Sequence, residues 1–167
     1  KKRVPKIAAA SIEEHVRNQE ARILTAAREH FTANGYRGTD MRDIAASMGL
    51  ARNSLYRYFS SKDHILVAVV RREMQPFFDQ LADLGARIDD PVERIDAWVM
   101  LQMELAAGPC HTMMGMLGEI PPNARALRRE ISTLHAPPNR LLQEAVEQVL
   151  KGSTRDPLVV TAMITGM

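Results

Sequence analysis

The sequence predicts an all-α fold, and three observations carry that expectation. Apolar residues recur at three- and four-residue spacings, the runs are bracketed by residues that start or stop helices, and no stretch alternates apolar and polar residues as a strand does. No hairpin dipeptide separates apolar runs, and no low-complexity linker interrupts the chain. The 167 residues are 46% hydrophobic and 25% charged, which suits a folded chain and argues against disorder, collagen or a membrane span. This length fits one domain, or one with a small appendage.

Taken in order, Ser11 and Glu14 form an S-x-x-E capping box that opens a first helix. Ile12, Val16, Ile23, Ala27 and Phe31 then fall around one face, and Asn34-Gly35 ends it. The expected span is about Ser11 to Asn34, with a break near Asn18 left open. Thr39 can cap a second helix, with Asp40 and Asp43 near its positive end. Met41, Ile44, Ala45 and Met48 give it one apolar face before Gly49 stops it. After Gly49-Leu50-Ala51, the run RNSLYRYF turns Leu55, Tyr58 and Phe59 inward and leaves Arg52, Asn53, Ser54, Tyr56 and Arg57 more exposed. Ser60 or Ser61 caps a helix from Lys62, which Pro76 should kink or break before Phe77.

Asp90-Pro91 with Glu93 starts the next helix, expected to run to about Ala107 and stop at Gly108-Pro109. A short Met-rich piece follows from Cys110 to Leu117. Pro121-Pro122-Asn123 and Pro137-Pro138-Asn139 each read as a helix start. Gly152 ends the second of these, and Asp156-Pro157 opens a last helix. The apolar pattern continues to Met167 and the chain opens on Lys1, so a longer polypeptide is expected at both ends.

The formal net charge of +2 conceals a division. Residues 1–72 hold 14 Lys/Arg against 7 Asp/Glu, and the remainder hold 8 against 13. A basic part that touches a polyanion and an acidic part with another task is the expectation. The single cysteine, Cys110, forms no internal disulfide, which suits a reducing cytoplasm. KKRVPKIAAASIEE has too short an apolar run for a signal peptide, and 105–118 is too short to span a bilayer.

Thr39 to Phe59 is helix-turn-helix grammar: a short capped helix, a glycine turn and a polar second helix. Such a helix fits the B-DNA major groove, about 12 Å wide. Arg52, Asn53 and Ser54 suit base edges or phosphate, and Arg57 supplies charge. Two ordinary helices joined by a glycine turn would give the same periodicity.

The residues also carry a resemblance. ILTAAREHFTANGYRGTDMRDIAASMGLARNSLYRYFSSKDHIL, residues 23–66, closely resembles the N-terminal domain of tetracycline-repressor-like (TetR/AcrR) transcriptional regulators. The shared elements are A-x-x-x-F before N-G-Y, then G-T, I-A, G-L, L-Y-x-Y-F and S-K-x-x-I. The resemblance covers about a quarter of the chain; the remainder fits only as an all-α effector domain.

What the resemblance implies is a DNA-binding domain at 1–66, including the basic arm, and a helical effector-binding and dimerisation domain at 67–167. It implies a homodimeric repressor, a near-palindromic double-stranded operator, and a small ligand that changes the separation of two reading heads and releases the DNA. Carried over by position, Arg42 reaches a base or phosphate, Arg52, Asn53 and Ser54 open the recognition helix, and Tyr56 contacts phosphate. Tyr58 packs its ring while its hydroxyl reaches the backbone. Lys62 grips phosphate at a helix N-terminus, and Thr39 caps its helix and contacts phosphate with one hydroxyl. Two residues depart from the pattern. Ala51 stands where Ser or Thr often caps, and Asn53 stands where a small residue or proline is common. Asn53 either pairs with adenine or caps the helix. KKRVPK is either an arm along the DNA or a solvated tail.

Eight of the ten methionines lie at or after Met74. A plastic apolar pocket for a lipophilic effector is one reading of the cluster, and ordinary core is the other. Phe78, Trp98, Gln102, Met103, Met113 and Met116 are its candidate ligand residues, with Phe77 approaching from the preceding helix. Asp96, Glu104 and Glu119 either favour a cation or are merely solvated. Cys110-His111 diverge by about 100° on a helix and make a poor dyad. No second Cys or His sits at ligand spacing, so no metal and no cofactor are expected. No G-x-S-x-G, H-E-x-x-H, P-loop or dinucleotide glycine pattern is present, so a regulator is expected and not an enzyme. The alternative is a helical small-molecule binder or enzyme using the helix-turn-helix as scaffold. A DNA-packaging protein would need basic surface throughout.

Overall fold

The computed structural model describes the backbone of residues 6–165, and the side chains of residues 6–10, 109 and 135 lie outside the description. Eight α-helices are described: α1 Lys6–Asn34, α2 Met41–Ser47, α3 Arg52–Leu55, α4 Lys62–Arg87, α5 Pro91–Ala107, α6 Pro109–Met116, α7 Arg125–Val149 and α8 Pro157–Thr165. A 3-10 turn at Leu117–Glu119 follows α6, and no strand occurs among the described residues. The fold is all-α, as the periodicity predicts. The chain divides into two compact units, Lys1–Val69 and Val70–Met167, with the boundary inside α4.

In the first unit, α1 buries Ile23, Ala27 and Phe31 at four-residue spacing, α2 buries Ile44 and Ala45, α3 buries Leu55, and α4 buries Ile65, Leu66 and Val69. These side chains form one core beneath three short helix junctions. In the second unit, α7 packs on α5 and on α8. Its buried stripe of Leu134, Pro138, Leu142, Ala145 and Val146 follows the helical period.

Several local expectations are corrected. α1 already runs from Lys6, so Ser11 is inside the helix and no capping box opens there. It passes Asn18 without a break, and Ile12 is exposed instead of joining the apolar face. Of KKRVPK, residues 1–5 lie outside the description and Lys6 begins α1. Thr39 does not cap α2. Asp40 does, accepting from the backbone N–H of Arg42 and Asp43, while Asp43 returns a carboxylate bond to the Asp40 N–H at 2.9 Å.

Prolines are read too strongly by the sequence. α4 continues through Pro76 because Val70, Met74, Phe77 and Leu81 keep one face buried on both sides of it. Pro137-Pro138 starts no helix and lies within α7. An interior proline costs about 3 kcal/mol, which a continuous buried face can offset. Pro138 is itself part of that face, and its carbonyl accepts the Trp98 Nε1–H at 2.8 Å. The start at Asp90-Pro91 is as expected, with the Asp90 carboxylate accepting from the N–H of Val92 and Glu93.

Candidate nucleic-acid interface and apolar cavity

The turn between α2 and α3 is closed by its backbone. Gly49 takes φ 68, and the N–H groups of Gly49 and Leu50 bond back to the carbonyls of Ala46 and Ala45 at 3.0 and 2.9 Å. That pair of bonds is a Schellman closure, and its left-handed residue is why glycine stands there. α3 follows with Ala51 at its N-cap and no side-chain cap bond. Leu55 is fully buried and anchors it. Arg52, Asn53, Tyr56 and Arg57 are exposed, Ser54 and Tyr58 half-buried. Phe59 is also only half-buried, less inward than its pattern predicts.

Two pairings are absent from the sequence reading. The Arg52 guanidinium donates to the Tyr56 hydroxyl at 2.8 Å and lies 5.4 Å from that ring's centroid. The four-residue separation places both on one side of the segment. The cation is thereby presented with an aromatic face behind it, able to donate to a base edge or a phosphate. Arg42, three-quarters exposed, pairs with the Asp40 carboxylate at 3.0 Å. The Arg42 guanidinium, and then its backbone N–H, hold the Asp40 carboxyl below its ordinary value.

Thr39 and Lys62 sit in the scaffold beneath this surface. Thr39 is 1% exposed, and its hydroxyl is directed to the carbonyls of Gly35 at 2.9 Å and His30 at 3.1 Å. With the hydroxyl so engaged and buried, it can neither cap α2 nor reach a phosphate. The Lys62 ammonium donates to the carbonyls of Tyr36 at 2.6 Å and Thr39 at 2.7 Å, and lies 4.1 Å from the Tyr36 ring centroid. The Tyr36 hydroxyl donates to the Asp63 carboxylate. This clasp joins the loop before α2 to the first turn of α4. It spans 26 residues, so no local spacing signals it. Ser61, not Ser60, sits next to α4 and accepts weakly from the His64 N–H at 3.4 Å.

The second unit holds a cavity of about 510 Å³ among α4, α5, α6, α7 and α8. Of the ligand residues expected from sequence, Trp98, Gln102 and Met103 line it. Phe78, Met113 and Met116 do not. Phe78 faces a separate cleft with Leu81 and Arg140, and Met113 is buried elsewhere in the core. Helical phase decides this: Phe77 and Met114, one position from Phe78 and Met113, take the wall instead. Met74 and Ile164 also line it and were missed, because only tertiary packing brings α4 and α8 to α5. Asp96, Glu104 and Glu119 are not among its lining residues.

Cys110 is half-buried, and burial, then the charge of Glu73, pushes its thiol up, away from the reactive thiolate. Among the described residues no three His, Cys, Asp or Glu side chains gather into a possible metal site. No helix among the described residues is long and apolar enough to cross a membrane.

Known proteins resemble this chain in part of its sequence and in its fold. The model of the family described as bacterial regulatory proteins, tetR family, matches residues 23–69. The HTH-type transcriptional repressor KstR2 of Mycobacterium tuberculosis is 29% identical over 89 residues, which are 53% of this chain and 44% of that protein. The chain thus spans less than half the length of this curated relative in the match. Among solved structures, the regulator FadR from Bacillus subtilis in complex with stearoyl-CoA aligns with a TM-score of 0.69 at 22% identity, over 87% of this chain and 81% of that one. A TetR/AcrR-family regulator from Thermobifida fusca gives 0.65 at 24%, over 89% and 81%. At these identities the two structures share the fold.

Proposed function

We propose, from the premise that residues 23–69 are a tetR-family domain, that this chain is a sequence-specific DNA-binding transcriptional regulator. Its best reading is a homodimeric repressor of a near-palindromic operator, released by a small lipophilic ligand. One observation carries it: α3 is anchored by buried Leu55 and offers Arg52, Asn53, Tyr56 and Arg57 to solvent in a helix-turn-helix. That is the arrangement required to enter a major groove and read base edges. Arg52, Asn53 and Ser54 would meet bases at the N-terminal end of α3, and Arg42, Tyr56 and Arg57 would hold phosphate. Lys62 would act chiefly by positioning, with at most its third N–H left for phosphate.

The homodimer reading draws on α8, which leaves Leu158, Val159 and Met163 exposed beside small residues. The lipophilic-ligand reading draws on the apolar cavity, whose volume falls in the range of small-molecule sites, about 300–1,000 Å³. A cytoplasmic setting accords with one thiol and a DNA target.

The test is a gel shift of a selected duplex against a scrambled one across a salt series. Log affinity should fall by roughly 0.9 per phosphate neutralised for each tenfold rise in salt. The selected duplex should be preferred by about a thousandfold or more. Equal binding to both duplexes would remove the reading.

A further inference from the structure

We propose that the cavity of the second unit takes an uncharged ligand whose apolar body carries one hydrogen-bond-accepting oxygen, received by Gln102. This rests on the reading of that cavity as the effector site and names the chemistry it selects. Two observations carry it.

The first is the wall. None of the described residues lining the cavity carries an ionisable side chain. Met74, Phe77, Trp98 and Ile164 supply apolar surface, and the polar side chains are Gln102, Asn139 and Thr165. Thr165 directs its hydroxyl to the Thr161 carbonyl at 3.1 Å, within its own helix. A carboxylate or ammonium drawn in here would lose its water and meet no opposite charge, which is costly in an apolar site.

The second is Gln102 itself. Its Nε2 is buried and has no hydrogen-bond partner among the described residues. Buried amide hydrogens are nearly always satisfied, and an orphan has lost its water without compensation. A turn of the Gln102 side chain that brings Nε2 to a ligand oxygen in the cavity would recover that loss, giving a ketone, ester or amide an advantage over a plain hydrocarbon. Trp98 does not compete for such an oxygen, since its Nε1–H is already committed to the Pro138 carbonyl. The wall thus sets the apolar body, and the orphaned Gln102 amide adds a polar requirement, with Asn139 as a second polar side chain on the wall.

The experiment uses Trp98, the sole tryptophan of the chain and part of the cavity wall, as the reporter. Methyl nonyl ketone, decanoate, decyltrimethylammonium and decane are titrated below their micellar concentrations against the whole chain. Binding is followed by Trp98 emission and by calorimetry. The ketone should bind at least about tenfold more tightly than either ion. Gln102→Leu should cost the ketone roughly tenfold and leave decane almost unchanged. Gln102→Met, closer in shape, should repeat this, with thermal melting verifying that both variants fold. Ion binding as tight as ketone binding, or unchanged ketone affinity in both variants, would overturn the proposal while leaving the cavity a ligand site. If none of the four compounds binds, the effector-site reading fails and takes the proposal with it.

Discussion

Lys62 and Tyr36 meet twice: the Lys62 ammonium donates to the Tyr36 carbonyl at 2.6 Å and stands 4.1 Å from the centroid of the Tyr36 ring. With the Thr39 carbonyl as second acceptor, this one side chain ties the loop before α2 to the start of α4. Charge-assisted bonds of this kind contribute about 1.5–3 kcal/mol. Lys62→Met is therefore expected to cost roughly 2 kcal/mol of stability in the first unit. It should weaken binding to specific and random DNA alike. Thermal unfolding and salt-series gel shifts separate this from a direct phosphate contact, whose loss would lower the salt slope by about one and leave melting unchanged.

Arg52 and Asn53 carry the sequence preference in this account. Arg52→Ala and Asn53→Ala should each cost about 1–3 kcal/mol on the selected operator and much less on random DNA. Tyr56→Phe removes the hydroxyl that receives the Arg52 guanidinium at 2.8 Å. It should weaken operator binding in the same direction but less. Affinities against a panel of single-base operator variants check all three; a uniform loss across the panel would move Arg52 and Asn53 to backbone contacts.

Thr39→Val tests the buried hydroxyl. It keeps the shape and removes the hydroxyl that faces the carbonyls of Gly35 and His30. A stability loss of about 1–3 kcal/mol is expected. The salt slope of DNA binding should not change, as it would if Thr39 touched phosphate. Denaturant unfolding alongside gel shifts reads both.

Asp40 gives the pH dependence. Its carboxyl is held below its ordinary 3.8, first by the Arg42 side chain and then by the Arg42 backbone N–H. A depressed folded value means that the charged cap stabilises above the unfolded value and is lost as pH falls through the folded one. The melting temperature of the wild type should therefore exceed that of Asp40→Asn near neutrality, with the difference shrinking steadily below pH of about 4. A difference that stays constant with pH would contradict the cap's charge.

The sequence was legible where physics is local. Apolar spacing marked α1, α2 and α4, Asp90-Pro91 marked α5, and Gly35, Gly49 and Gly152 marked left-handed stops that the backbone takes at φ 69, 68 and 84. It misled where tertiary burial overrode local preference, at Pro76 and at Pro137-Pro138, both inside long helices with a continuous buried face. It also placed the α2 cap one residue early, since Thr39 and Asp40 are both good caps and only packing decides which of the two side chains is buried. In the cavity, Trp98, Gln102 and Met103 were found from one helix. Met74 and Ile164 were not, because which helices converge is a long-range fact.

The most direct test of the DNA-reading account is selection of bound duplexes from a random pool by the wild-type chain and by Arg52→Ala. The account predicts that the wild type enriches one near-palindromic sequence, and that the variant enriches a degraded form of it with relaxed preference at particular bases. Recovery of no sequence above the starting pool by the wild type would contradict it.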